Sequence, residues 1–305
     1  MSDGLFETVS TFPDPDFLER YEALVGLDAT KERLEKEAEA LLRPDLLDKW
    51  SREKHGARLA ALNLLQRRPP LFIFAGDVGT GKTELGLTFG DKLARNTGLH
   101  TQLFSLSLRA RGMGAVGEMT KLISDAFQHI RTKGPKPVGH GKKPTGAAIL
   151  LIDEADSLAQ SRELAQMHHE DRAGVNALIR GIDDIGNAKV PCLIVMCTNR
   201  LSALDPAVRR RAAAVFEFAR PNQTLRKHVL EGQLAGTGLT KSEIETIANQ
   251  LGETKSRPYG YTFSDITQRF IPSLVLAAYP NAKISAALAA TVIESMAPTP
   301  PFKSE

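Results

Sequence analysis

The octapeptide Gly76-Asp77-Val78-Gly79-Thr80-Gly81-Lys82-Thr83 fits the pattern G-x-x-x-x-G-K-[ST] and directly follows the apolar run Leu71-Phe72-Ile73-Phe74-Ala75. A strand running into such a loop and on into a helix is the start of a phosphate-binding unit, and few folds accommodate it. The three glycines let the backbone turn its N–H groups inward on a β-phosphate. Lys82 supplies a point charge for the β and γ oxygens, and Thr83 places a hydroxyl at the N-terminus of the next helix, where magnesium can be ligated. The candidate nucleotide contacts are therefore Gly76, Asp77, Val78, Gly79, Thr80, Gly81, Lys82, Thr83 and the adjoining Glu84. A glycine-rich surface turn is the plainer alternative, and the strand-before, helix-after setting weighs against it.

Bulk properties leave this reading open and exclude others. A chain of 305 residues, 42% hydrophobic and 25% charged, has room for about two ordinary globular domains. A net charge of +3 permits nucleic-acid contact without requiring it, so nucleic acid is not the expected partner. The N-terminus carries Glu7, Asp14 and Asp16 with no basic flank or apolar core, unlike a signal peptide, and no apolar run is long enough to span a bilayer. A cytoplasmic, membrane-free protein is expected. Cys192 and Cys197 bracket Leu193-Ile194-Val195-Met196 and read as buried thiols.

Residues 1–20, with Pro13 and Pro15 among acidic side chains, read as a flexible arm. Asp28 can cap a helix over 29–42 with Leu34, Ala38 and Leu41 on one face, and Pro44 opens another ending near Gly56. Strands over 71–75, 101–106, 147–152, 192–197 and 214–218 alternate with helices over 82–95, 116–132 and 171–185. Short apolar strands separated by amphipathic helices predict a parallel sheet covered on both faces, so 21–220 reads as a large α/β nucleotide-binding domain. Beyond Pro221 only helical patterns follow. Thr240 and Glu243 form a capping box for a helix closed by Gly252, and helices fit 263–278, kinked at Pro272, and 283–296. A small all-α domain over 221–297 and a frayed tail over 298–305 complete the expectation. The Gly/Pro-rich segment 131–146 carries Arg131, Lys133, Lys136, Lys142 and Lys143 without interleaved aromatics, and reads as a solvated insertion rather than a nucleic-acid contact.

The run Ile149-Leu150-Leu151-Ile152-Asp153-Glu154 is a buried strand ending in two carboxylates. Asp153 suits a magnesium ligand together with Thr83, while Glu154, one residue further out, can polarise an attacking water. The second acid favours hydrolysis over transfer to a small acceptor. Asn199 ends the next strand, where an amide can face the γ-phosphate. Arg209, Arg210 and Arg211 precede the last strand, and a guanidinium suits charge spread over a phosphoryl group in transit.

Taken in this order, phosphate loop, Asp-Glu strand end, asparagine, arginine cluster and helical lid resemble an AAA+ P-loop ATPase over about residues 20–290. The resemblance implies a five-stranded parallel sheet of order 5-1-4-3-2 with a C-terminal all-α lid. It also implies Arg210 and Arg211 reaching the neighbouring subunit's ATP in a homo-hexamer. Val25-Gly26-Leu27-Asp28 is similar to the family's adenine-packing segment, making Val25 and Gly26 base contacts, and Ser264 in the lid stretch Gly260-Tyr261-Thr262-Phe263-Ser264 lines the same site. Arg269 is not expected to sense phosphate.

By the same resemblance, the stretch Gly112-Met113-Gly114 occupies the position of the pore loop that grips an extended polypeptide, with the flexible thioether of Met113 in the gripping place. A second pore-facing loop falls over 160–170, where His168 and His169 read as solvated rather than metal-bound. Ser105-Leu106-Ser107-Leu108, Asp153-Glu154-Ala155-Asp156-Ser157-Leu158 and Val175-Asn176-Ala177-Leu178-Ile179-Arg180-Gly181-Ile182-Asp183 resemble the pachytene-checkpoint, or thyroid-receptor-interacting, ATPases that remodel HORMA-domain proteins. The short N-terminal region is similar to the bacterial form linked to CBASS anti-phage signalling. Rival readings are another AAA+ remodeller of severing or sorting type, a nucleic-acid motor or clamp loader, and a non-hydrolysing nucleotide switch.

Overall fold

Leu71, Phe72, Ile73 and Phe74 of strand β2 (Leu71–Gly76) are all fully buried, and a strand with no solvent face must lie inside a sheet covered on both sides. The computed structural model, which describes residues 4–108, 117–137, 142–158, 169–255 and 257–302, places it there. β2 pairs in parallel with β5 (Cys192–Thr198), β5 with β4 (Gly146–Asp153), and β4 with β3 (His100–Ser107), while β6 (Ala212–Phe218) lies on the other side of β2. Numbered without the N-terminal strand, this order is 5-1-4-3-2, as the AAA+ resemblance implies.

A sixth strand corrects the expectation for the N-terminus. Instead of a flexible arm, β1 (Thr8–Phe12) becomes the edge strand, pairing antiparallel with β3 from Thr8 opposite Ser105 to Phe12 opposite Thr101. Its β-branched residues Thr8, Val9 and Thr11 suit a strand, and the two flanking aromatics anchor it. Phe12 is fully buried and meets Phe17 edge-on at 5.1 Å, and Phe6 packs against Phe104 at 5.0 Å and His129 at 5.2 Å. Just beyond the strand, the Asp14 N–H donates to the buried Asp91 carboxylate, which also holds Arg95 at 2.6 Å. Helix α1 (Pro15–Glu22), capped by Asp14, follows.

Helix α2 (Asp28–Leu42) buries Lys31, Leu34, Ala38 and Leu42, so the fourth-residue spacing selects Leu42 where Leu41 was expected. Helix α3 (Pro44–His55) starts on Pro44 and ends on a left-handed Gly56, and a short α4 (Ala61–Leu65) leads into β2. Helices α5 (Lys82–Thr97), α6 (Glu118–Lys133) and α7 (His169–Asn187) connect the parallel strands, and a single turn, α8 (Pro206–Arg209), precedes β6. Arg131 and Lys133, assigned above to an irregular basic segment, form the last turn of α6, where Arg131 pairs with Asp184 at 2.9 Å.

Most of this α/β structure forms one compact unit. A second comprises Leu24–Leu27, Gly76–Lys82 and Phe218–Glu305, so the phosphate loop clusters with the helical region. Its core joins Leu230 of α9 (Gln223–Gln233), Ile247 of α10 (Lys241–Gln250), Tyr261, Phe270, Leu274 of α11 (Ile271–Ala278) and Ala289 of α12 (Ala286–Ser295). The Thr240–Glu243 capping box forms in both directions, at 3.2 and 2.8 Å. A π-helical stretch, Asp265–Phe270, precedes α11 and accommodates Pro272, which lacks an N–H and would crowd the carbonyl four residues back in a regular helix. The tail is not frayed throughout: Thr299 donates from its N–H and hydroxyl to Asp265 at 3.0 and 2.7 Å. Among the described residues no helix is long and apolar enough to cross a membrane.

If β1 is integral to the sheet, Phe12→Ala should lower unfolding free energy by about 3 kcal/mol, as for other buried phenylalanines. Urea denaturation checks this, and a loss below about 1 kcal/mol would return the segment to the status of an arm.

Candidate functional site

The phosphate loop is shaped by two close approaches that only glycine tolerates. Gly76 (φ +156°) leaves β2 so near the end of β6 that a Cβ would stand 2.1 Å from the Phe218 carbonyl oxygen. Gly79 (φ +72°) has room for no side chain either, because a Cβ would lie 2.6 Å from the Thr262 hydroxyl. The backbone there is clamped as well as crowded: the Ser264 N–H donates to the Gly79 carbonyl at 3.1 Å. Within the loop the Thr80 hydroxyl donates to the Asp77 carbonyl at 2.7 Å, and Lys82 Nζ donates to the carbonyls of Gly76 and Asp77 at 2.9 and 2.7 Å. The lysine thus curls back over its own loop, with its ammonium held by the loop's carbonyls. Gly81 also has a positive φ, and Val78 is exposed.

The other residues expected near a nucleotide divide by their partners. Thr83 is exposed in the first turn of α5. Next to it, the Glu84 carboxylate is gripped by Arg20 at 2.8 and 3.0 Å, so this side chain serves an ion pair. Ser264, expected at the base, turns its hydroxyl to Gln268 at 2.9 Å and contributes its backbone to Gly79 instead. Val25 packs against the core of the second unit, and Gly26 (φ +76°) stands against Leu225. Arg269 is paired with Asp265 at 2.9 Å.

Strand register brings the acidic and amide residues to one edge of the sheet. Ala75 of β2 lies opposite Thr198 of β5, Ile152 of β4 opposite Met196, and Asp153 opposite Ser107 of β3. Asp153 and Asn199 therefore emerge from the same edge at which β2 turns into the phosphate loop. Glu154 follows with φ +53°, a left-handed conformation costing a side-chain-bearing residue about 1–2 kcal/mol. Its N–H donates to Asp153 Oδ1 at 2.8 Å, so the backbone at Glu154 holds the Asp153 carboxylate.

Asp156, passed over as part of a motif, ties this edge together. Nearly buried, it accepts from the Thr198 hydroxyl at 3.4 Å and the Asn199 N–H at 3.3 Å, and Thr198 in turn accepts from the Arg200 N–H at 3.1 Å. The turn carrying Asn199 is thereby fixed to the turn carrying Glu154. A buried carboxylate three residues past a strand end, facing two donors of the neighbouring strand, has no local sequence signature.

The two arginines expected to act together are set apart. Arg211 is committed inside its own chain, forked on Asp183 at 2.7 and 2.8 Å and donating to the Ala207 carbonyl at 2.9 Å. Arg210 is exposed: its backbone N–H donates to the Pro206 carbonyl at 3.1 Å, while its side chain makes no hydrogen bond or ion pair among the described residues. Arg220 was not foreseen: it holds Asp77 of the phosphate loop at 2.6 Å and the Gly260 carbonyl at 2.7 Å. The expected pore-loop residues Gly112, Met113 and Gly114, like His168, lie outside the described residues.

Comparison with known proteins agrees with this geometry. Residues 72–220 match the family described as ATPase family associated with various cellular activities (AAA). CD-NTase-associated protein 6 of Escherichia coli (strain MS 115-1) is 51% identical over 300 residues, covering 98% of this chain and 96% of that protein. A structure of the E. coli MS115-1 HORMA:CdnC:Trip13 complex contains a chain that is 50% identical with a TM-score of 0.89, over 98% of this chain and 97% of that one. Rhizobiales Trip13 gives a TM-score of 0.73 at 45% identity, over 97% of this chain and all of that one (100%). With such identity along nearly its whole length, the chain belongs to the AAA ATPases and, within them, to the Trip13-like CD-NTase-associated protein 6 family.

Proposed function

We propose that this chain works as a ring, a homo-hexamer, that spends Mg-ATP to pull on a HORMA-domain protein and so takes apart an active signalling complex of bacterial anti-phage defence. The observation that carries this reading is the 50% identical chain, alike over 98% of this one, found in a complex with HORMA and CdnC. Its setting would be the cytoplasm, where ATP and such complexes meet.

The site's residues divide the work as follows. N–H groups of the Gly76–Thr83 loop cradle the phosphates, and Lys82 exchanges its loop carbonyls for β and γ oxygens. Val25 and Gly26 flank the base. The donor set fits magnesium, a hard cation that takes few protein oxygens: Asp153 spends one oxygen on the Glu154 N–H and keeps the other, and the Thr83 hydroxyl is exposed. Bound there with ATP, magnesium would neutralise charge on the phosphates. Glu154, held by its strained backbone, takes the proton of the attacking water. Asn199, fixed through Asp156, orients that water. Arg210, exposed and uncommitted, reaches the ATP of the next protomer, while Arg211 braces α8 against Asp183. Met113 grips the substrate polypeptide.

A nucleic-acid motor gains little support, since the basic segment 131–146 has no interleaved aromatic residue on which bases could stack. An ATPase assay with a HORMA-domain protein as the partner should show stimulated turnover. Stimulation by DNA instead, falling steeply with salt, would overturn the reading. Glu154→Gln should lower turnover by about two to four orders of magnitude while ATP stays bound in the assembled ring, and unchanged turnover would remove Glu154 from the role of base. Arg210→Ala should cut turnover by about 10³ with ATP binding retained, whereas Arg211→Ala should show itself first as a lower melting temperature. The reverse pattern would exchange their roles.

A further inference from the structure

Asp77 sets an electrostatic problem that the fold has to solve. A carboxylate in the second position of a phosphate-binding loop repels the anion the loop receives, yet Asp77 is there and mostly buried, with 17% of its side chain exposed. Its oxygens are turned to protein donors. Oδ2 receives Arg220 Nε at 2.6 Å, and Oδ1 receives the N–H groups of Val78 at 2.9 Å and Phe302 at 3.3 Å. Arg220 is itself fixed, donating to the Gly260 carbonyl at 2.7 Å and lying 5.2 Å over the Tyr259 ring, and is only 14% exposed. Arginine is the residue for such a place, because it stays charged and its planar group serves two acceptors while stacking on a ring.

We propose that Arg220 is a positioning residue that sets nucleotide affinity by phosphate charge: it neutralises Asp77 and thereby lets the phosphate loop accept a triphosphate. The proposal rests on the nucleotide-binding reading of the loop. Arg220 acts through Asp77, and its removal uncovers a negative charge beside the ligand. The harm then grows with the ligand's charge and shrinks with salt, which loss of a purely structural contact would not do.

The test is titration of the full chain with fluorescent ATP and ADP analogues in magnesium buffer. Arg220→Met should weaken ATP binding about tenfold at low salt, the scale of one partly screened charge contact, and ADP binding less. In about 1 M salt the difference should largely vanish. Adding Asp77→Asn to Arg220→Met should recover most of the lost affinity, because it removes the uncovered charge. Wild-type affinity in Arg220→Met, an equal loss for both nucleotides at both salts, or no recovery in the double variant would each overturn the proposal. Should Arg220→Met fail to fold, Arg220→Lys decides: it keeps the charge and should hold the ATP-to-ADP ratio within about twofold of wild type, and a larger change overturns the proposal. A wild-type chain that binds neither nucleotide would instead overturn the nucleotide reading, and this proposal with it.

Discussion

Burial of β2 on both faces is the constraint on which the rest depends. Leu71, Phe72, Ile73 and Phe74 have no solvent side, so the sheet must be covered on both faces at this strand, and β5 and β6 lie on either side of it. Parallel pairing with β5 then fixes Ala75 opposite Thr198, so the chain leaves the sheet beside Asn199. Asp153 emerges from the same end of the sheet. The phosphate loop can begin there only because Gly76 lets the backbone pass against the Phe218 carbonyl.

Along this edge, order is maintained by short polar ties rather than by apolar packing. The left-handed Glu154 would relax in isolation, since its conformation is costly for any residue with a Cβ. Asp153 holds its N–H, and Asp156 fastens the following turn to Thr198 and Asn199. Strain kept at a strand end by surrounding hydrogen bonds is the usual mark of a residue whose direction matters more than its comfort. The loop shows the same economy. Lys82 rests on the carbonyls of Gly76 and Asp77, which fix its ammonium within the loop.

Much of this was legible in the chain itself. Periodicity gave the α/β alternation and the helical C-terminal region, because burial on two faces and burial on one leave different spacings. The strand order came from the resemblance. β1 was missed because Pro13, Pro15 and the acids Glu7, Asp14 and Asp16 outweigh five strand residues in any local reading, whereas its place comes from Phe6 meeting Phe104 and from pairing with β3, both far along the chain. Leu42 displaced Leu41 on a narrower ground: the buried positions Leu34, Ala38 and Leu42 recur every fourth residue, and that spacing passes over Leu41.

The sequence alone determined which groups are available for chemistry: a glycine loop with Lys82 and Thr83, the acids Asp153 and Glu154, Asn199 and the arginine cluster. Such motifs are local, since phosphate binding needs consecutive N–H groups and a strand end needs consecutive residues. Which groups are committed to partners was decided only by tertiary structure. Arg211 is taken by Asp183, Glu84 by Arg20, Asp77 by Arg220 and Asn199's backbone by Asp156, pairs separated by 28 to 143 residues. An ion pair depends on distance in space, and nothing in the order of residues states that distance until the sheet has set it.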